Sequence, residues 1–239
     1  MPRFFIDQEP GDIIDVRGAD ARHIGYSLRM KIGDEITFCH NGMDYFCEIT
    51  EMSGDSVLCR IKNAEQSKCE PSLSLTIYQA FPKQDKFEQV IKKVTELGAV
   101  RIVPFLSKRC VARPDKKDFA KKRGRFTKIA EEAAKQSGRG IIPEVGELLD
   151  FNEAVHDMGS AEVKLICYEN GGERLSSELF SAAKTAAVMI GSEGGFERSE
   201  VEKAVEAGAR TIWLGERILR CETCPVAVTA IIMNLSGNL

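Results

Sequence analysis

The sequence predicts an α/β fold: a doubly wound, mainly parallel sheet over residues 73–239, preceded by a small β-barrel over residues 1–70. Three observations carry this. From Leu73 onward, strand-like and helix-like runs alternate, the pattern of a parallel sheet covered by helices on both faces. Before residue 63 the β-rich runs are short and separated by turn residues, as in small barrels. Between the two, Asn63 to Ser72 is polar and aperiodic and reads as a linker.

In the first segment, Ile36–Phe38 and Tyr45–Ile49 flank His40-Asn41-Gly42-Met43-Asp44. Asn-Gly between two β-rich runs is the strongest local hairpin signal. Gly33-Asp34 marks a turn before Ile36, and Val57–Ile61 is a further strand after the Gly54-Asp55 turn. Asp20 to Leu28 predicts one short helix.

The second segment opens with Leu73, Leu75 and Ile77 alternating as a strand. Asp85 followed by Glu88 reads as a capping box, in which each side chain satisfies a free backbone N–H. Phe87, Val90, Ile91 and Val94 then share one helical face, and Gly98 stops that helix. Val100–Leu106 predicts a strand, and Lys117–Ser137 a long helix. Asp150 with Glu153 caps a short helix. Val163–Tyr168 predicts a strand and Glu173–Lys184 a helix. Ala186–Ile190 is continuously apolar, as strands buried on both faces are. Ser199 with Glu202 reads as a third capping box, on a helix that Gly208 stops. Thr211–Leu214 is the last strand, and Pro225 suits the first turn of an apolar helix running through Leu235.

With 43% hydrophobic and 29% charged residues, the composition is that of an ordinary globular chain. No apolar run approaches the length of about 18–20 residues that a membrane span needs. Met1–Asp12 holds three acidic residues and no apolar core, so no export signal is read there. The eight cysteines are therefore expected as reduced thiols in a cytoplasmic protein, mostly as small packing residues. Only Cys221 and Cys224 form a C-x-x-C. No second close pair completes a zinc site, so no metal is expected.

Charge is uneven along the chain. The net of −3 hides three regions. Residues 1–70 carry 8 Lys/Arg against 13 Asp/Glu, residues 83–128 carry 15 against 5, and residues 129–239 carry 10 against 18. A local excess of ten positive charges attracts polyanions such as nucleic acid. A solvated helix over Lys116–Lys128 is the plainer account of the same residues.

In parallel sheets, ligands bind at the carboxyl ends of the strands. Two loops stand there: Gly191-Ser-Glu-Gly-Gly-Phe196 and Gly215-Glu-Arg-Ile-Leu-Arg220. Glycines at this density permit positive φ and close backbone approach to a ligand. Neither loop is a dinucleotide fingerprint or a P-loop. His23, His40 and His156 all lie elsewhere, and no nucleophile elbow or metal-spaced cluster is present. A site without an activated nucleophile suits group transfer from an already activated cofactor, where positioning does most of the work.

Ile190-Gly-Ser-Glu-Gly-Gly-Phe196 and Leu214-Gly-Glu-Arg-Ile-Leu-Arg-Cys-Glu-Thr223 resemble the two C-terminal motifs of SPOUT-class RNA methyltransferases. The nearest resemblance is to the bacterial 16S rRNA (uridine-N3)-methyltransferase family. Lys83-Gln-Asp-Lys86 with Val94-Thr-Glu-Leu-Gly98, and Ile129 to Arg139, resemble two of its helices. Arg22-His23 and Leu28 to Asp34 resemble its N-terminal PUA-like barrel. Ser192 stands where that family has Pro, Cys221 and Cys224 where it has Thr and Ala, and Phe126 where it commonly has Trp.

The resemblance implies a trefoil-knotted methyltransferase domain, a homodimer, and S-adenosylmethionine as cofactor. It implies a substrate too: one uridine in the decoding region of the 16S rRNA of the small ribosomal subunit. A related methyltransferase acting on another RNA or at a ribose 2′-oxygen, or a non-catalytic ribosome-assembly protein, are the alternatives. On this resemblance Ile190, Gly191, Glu193, Gly194, Gly195, Leu214, Gly215, Ile218 and Leu219 hold the cofactor. Arg220 is the expected stabiliser of a uracil anion, with Glu193 or Glu222 as the expected proton acceptor, or no base at all if Arg220 lowers the N3 pKa enough. RNA contacts are expected from Arg22, Arg29, Lys83, Lys86, Arg109, Arg113, Lys121, Lys122, Arg123 and Arg139.

Overall fold

The computed structural model describes residues 1–239, which form two compact units. The first comprises Met1–Glu70 together with Ala134–Ile141, and the second Pro71–Ala133 with Ile142–Leu239.

The first unit holds strands β1 (Arg3–Phe5), β2 (Ile13–Arg17), β3 (Glu35–His40), β4 (Met43–Ser53) and β5 (Ser56–Gln66), with helix α1 (Ala19–Arg22). Their order in the sheet is β1-β3-β4-β5-β2, parallel only between β1 and β3. The β3–β4 hairpin turns on Asn41 and Gly42, at φ of 47° and 78°. Two positive φ values in a two-residue loop match the right-handed strand twist, as the Asn-Gly pair predicts. Phe4, Ile24, Ile36, Phe38 and Ile49 fill the interior. β1 and β2 are not among the strands read from the sequence. Residues 63–66 belong to β5 and not to a linker. The expected helix over Asp20–Leu28 divides into α1 and a wider helical turn, His23–Ser27.

The inclusion of 134–141 in this unit has a local cause. The Arg139 guanidinium is 2% exposed and donates to the Glu70 carboxylate at 2.6 Å. The Gly140 N–H donates to Glu70 as well, and the Lys135 ammonium lies 5.4 Å from the centre of the Phe4 ring.

The second unit holds β6 (Ser74–Ala80), α2 (Lys86–Glu96), β7 (Arg101–Leu106), most of α3 (Lys116–Ser137), and β8 (Glu144–Val145). β9 (Leu149–Asp150), α4 (Phe151–Asp157), β10 (Val163–Cys167), β11 (Thr185–Ile190), α5 (Arg198–Glu206), β12 (Arg210–Ile212) and α6 (Cys224–Leu235) complete it. The sheet runs β12-β10-β11-β6-β7-β8, with β9 also beside β7, and every pairing is parallel. β11 is central, which explains its unbroken apolarity: Ala186, Val188 and Ile190 face one apolar layer, Ala187 and Met189 the other. The first layer packs α2, α3 and α6 through Phe87, Phe126 and Ile232, and the second packs α4 and α5 through Phe151 and Val201. No helix is long and apolar enough to cross a membrane.

Three local expectations are corrected. Asp85 precedes α2 but makes no side-chain cap, and the Glu88 carboxylate is held by Arg125 at 2.8 Å instead of reaching back to it. The capping box of α5 lies two residues earlier than expected, on Glu197 and Glu200; Glu202 instead pairs with Arg198. Of the helix expected over Glu173–Lys184, only a single turn at Ser177–Leu179 forms. The Glu173 N–H donates to the Thr211 carbonyl and the Glu173 carbonyl accepts from Trp213 N–H, so sheet-like pairing beside β12 takes the start of that segment. The Asp150–Glu153 box is present as expected.

Candidate active site

A cleft of about 550 Å³ opens at the carboxyl edge of the sheet, bounded by the ends of β10, β11 and β12. Loop 191–196 forms one wall, loop 213–221 another, and Cys167, Tyr168 and Glu169 a third; Lys86 and Cys224 complete the lining.

The β11 loop is a tight turn closed by the Gly195 N–H on the Ser192 carbonyl at 2.9 Å. Its glycines are sterically required. A Cβ on Gly191 would lie 3.0 Å from Gly195 Cα, and one on Gly194 would lie 2.9 Å from Arg109 Cβ. Gly195 adopts φ +66°, and a Cβ there would meet the Glu169 carboxylate at 2.8 Å. Arg109 straps this loop from outside, with Nη1 on the Gly194 carbonyl at 3.1 Å and Nε on Glu197 at 2.8 Å. Gln79, fully buried in β6, donates to the Gly191 carbonyl at 3.2 Å. The Gln79 Oε1 and the Ser192 hydroxyl are buried and have no hydrogen-bond partner. Leaving such groups unpaired costs about 1–3 kcal/mol each.

In the β12 loop, Gly215 adopts φ +113° and the Ile218 side chain is 85% exposed beside the cleft. Leu214 and Leu219 are half-buried. The Arg220 carbonyl accepts from the N–H groups of Thr223 and Cys224, which turns the chain into α6. Its guanidinium is exposed on the cleft wall and forms no ion pair.

One ammonium joins both loops. Lys86 Nζ lies 3.1 Å from Glu193 Oε1 and 3.2 Å from Glu222 Oε2. These hydrogen bonds push its pKa up to about 12. Partial burial opposes ionisation of Glu193, but hydrogen bonds from backbone N–H groups and from Lys86 outweigh it and hold the carboxyl below its ordinary range. Glu193 is therefore a weak proton acceptor. Burial, with its hydrogen bond to Glu222, pushes the Cys221 thiol up to about 12. The contact with Cys224, together with burial, raises the Cys167 thiol well above its ordinary value. Cys221 and Cys224 thus turn to different neighbours, and no group of three or more His, Cys, Asp or Glu has the arrangement of a metal site.

The residues expected to meet RNA are placed variously. Arg22 and Arg29 are exposed on the first unit, Arg22 lying 3.7 Å from Asp55. Lys83 and Lys122 are exposed and free of ion pairs. Arg113 donates to the Ser107 carbonyl, Lys121 pairs with Asp118, and Arg123 lies near Glu144 and Glu147. Arg139 is a correction: buried against Glu70, it has no surface to offer. Lys86 is another, since its ammonium is committed to two carboxylates. Five of the fifteen cations of 83–128, Lys86, Arg101, Arg109, Lys116 and Arg123, pair with acids from 129–239, which the linear charge pattern conceals. Gln79 and Glu169 were missed; a lone amide within an apolar strand was the available signal for Gln79.

A sequence model described as the RNA methyltransferase domain matches residues 69–233, and one for the RNA methyltransferase PUA domain matches residues 16–62. The chain belongs to the RNA methyltransferase family. It is 35% identical to the ribosomal RNA small subunit methyltransferase E of Bacillus subtilis, over 97% of this chain and 96% of that protein. With the protein of the same name from Aquifex aeolicus, identity is 26% over 98% and 100%. The crystal structure of the Neisseria gonorrhoeae ribosomal RNA small subunit methyltransferase E bound to S-adenosylmethionine aligns with a TM-score of 0.89 and 29% identity, covering 98% of both chains. The methyltransferase domain of this chain thus carries the cleft, and its PUA domain is the strand-rich first unit.

Proposed function

We propose that this chain methylates N3 of one uridine in the decoding region of 16S rRNA, using S-adenosylmethionine bound in the cleft. The observation that carries the reading is the β11 loop. Its glycines hold backbone where side chains cannot fit, in a chain that aligns end to end with an S-adenosylmethionine-bound relative. Residues and cofactor fit: backbone groups of Ile190, Gly191, Glu193, Gly194, Gly195 and Gly215 would hold its polar ends, and Leu214, Ile218 and Leu219 would enclose its apolar parts. Bound there, the cofactor supplies a methyl group on an already activated sulfonium.

The chain's own work is alignment and charge. Uracil N3 keeps its proton at neutral pH, so an anion must be stabilised as that proton leaves. Arg220 lines the cleft and makes no ion pair, which supports its role as the donor to a uracil carbonyl oxygen. Glu193, clamped and weakly basic, is better suited to holding the loop than to taking the proton. Lys83 and Lys122 are among the exposed cations without an ion pair and would meet phosphate, with Arg29 on the PUA domain. The partly exposed apolar residues of α6, Val226, Ala230 and Ile231, support a homodimer.

Calorimetry with S-adenosylmethionine tests the cofactor, and light scattering tests the dimer. Mass mapping of small-subunit rRNA from a deletion strain tests the substrate. Loss of one methyl group from a single decoding-region uridine is expected. Loss from a ribose, or from another RNA, would overturn the N3 reading.

A further inference from the structure

We propose that Lys86 is a positioning residue: its ammonium latches the β11 loop to the β12 loop and holds the cleft in its binding geometry. Lys86 belongs to neither loop. It stands at the first turn of α2, whose Phe87, Val90, Ile91 and Val94 are fixed in the apolar core. From that rigid base Nζ meets Glu193 of one loop at 3.1 Å and Glu222 of the other at 3.2 Å. The three side chains are between 21% and 27% exposed, so solvent screens them only partly. The Lys83 N–H donates to the same Glu193 oxygen at 3.1 Å, tying the start of the helix to the loop a second time.

The charges make the arrangement more than a crosslink. Glu193 and Glu222 reach the same nitrogen, so they face each other at close range. Two carboxylates that close disfavour each other's ionisation unless a cation sits between them. The other titratable group facing the ammonium is Cys221, with Sγ at 3.7 Å from Nζ and 3.2 Å from Glu222 Oε2. Its raised pKa keeps it a neutral thiol, so it supplies no compensating charge. Without the ammonium, the loops carry like charges that push them apart. One of two things relieves this: the loops separate, or a carboxylate takes a proton.

Those alternatives give an experiment. Lys86→Met is compared with wild type and with Lys86→Met/Glu222→Gln by two readouts. The first is the alkylation rate of Cys221, followed by peptide mass; Cys221 is 5% exposed beneath the latch. This readout needs no cofactor. The second, which rests on the proposed function, is S-adenosylmethionine affinity by calorimetry between pH 5.5 and 8. At pH 8, Lys86→Met is expected to alkylate Cys221 faster and to weaken affinity by about tenfold. Both effects shrink as pH falls, because protonating one carboxylate removes the repulsion. The double variant behaves like wild type at pH 8. Wild type itself is flat across this range, since its ammonium and its two carboxylates stay ionised.

Cys221 protection unchanged in Lys86→Met would overturn the latch. So would a loss that neither acid nor Glu222→Gln restores, in a protein with a wild-type melting curve. A latch that behaves as expected in the alkylation arm, in a protein that binds no S-adenosylmethionine, would overturn the cofactor reading alone.

Discussion

Gly191→Ala tests the steric logic of the cleft most directly. Gly191 does not have positive φ, so alanine brings no backbone strain of its own. The whole effect is the added methyl group. Its carbon would lie 3.0 Å from Gly195 Cα and 3.1 Å from Gly195 C, both backbone atoms that cannot rotate away. Carbon atoms settle at roughly 3.5–4.0 Å, so the two arms of the turn must part by about half an ångström or more. Overpacking of this kind costs about 1–3 kcal/mol. The turn is closed by the Gly195 N–H on the Ser192 carbonyl and otherwise tied through side chains, by Gln79 on Gly191, Arg109 on Gly194 and Lys86 on Glu193, so it gives more readily than the ladder-bonded sheet beneath it. The cost then falls on the binding-competent loop, and Kd for S-adenosylmethionine rises about 5- to 150-fold. Calorimetry reads the affinity, and a thermal melt alongside it shows that the protein is folded. Wild-type affinity in Gly191→Ala would refute the claim that close backbone approach in this turn is what the ligand needs.

Four further outcomes follow from other residues. Arg220→Ala lowers kcat by about 10²–10³ with a smaller change in KM, and Arg220→Lys recovers only part. The alanine variant regains rate between pH 7 and 9.5, because hydroxide then supplies the N3 anion; a flat profile would make Arg220 structural. Gly124→Ala, at an exposed, unstrained position inside α3 with nothing within 4 Å, stabilises by about 0.5–1 kcal/mol. A rise in Tm with unchanged Kd is expected. Arg139→Met strands the Glu70 carboxylate and costs about 3–5 kcal/mol by denaturant titration, whereas a surface RNA contact would leave stability unchanged. Asp157 is partly buried, which opposes ionisation, yet hydrogen bonds from Tyr78 and Arg101 at 2.7 Å lower its pKa. Its contribution to stability is full above the ordinary Asp value of about 3.9 and is lost as pH falls through the lower folded value. Asp157→Asn therefore flattens the acid limb of the stability profile, and an unchanged limb would refute the assignment.

Much of this was legible in the chain. The alternation after Leu73 predicts the three-layer α/β unit because strand and helix periods are local and each is written into a single segment. Ala186–Ile190 reads as a doubly buried strand because continuous apolarity has few other uses at that length. Asn41-Gly42 specifies its turn because few residue pairs accept two positive φ values. The two glycine loops could be placed at the ligand edge of the sheet for the same reason, since they directly follow strand-like runs.

Other features depended on which residues meet after folding. Glu173–Lys184 has helix-forming residues, but Glu173 is drawn into pairing with the strand that ends at Ile212. The cations of 83–128 read as a polyanion surface until folding brings Glu144, Glu153 and Glu197 against them. Arg139 reads as a helix-end cation until Glu70, 69 residues away, buries it. Lys86 reads as one more basic residue until Glu193, 107 residues on, comes within hydrogen-bond reach. Periodicity and turn chemistry act over a few residues, so most elements, the layers and the position of the cleft are legible in the chain alone. Charge pairing, burial of polar groups and steric closeness act between residues adjacent only in space, so the tertiary structure decided which side chains hold that cleft in shape.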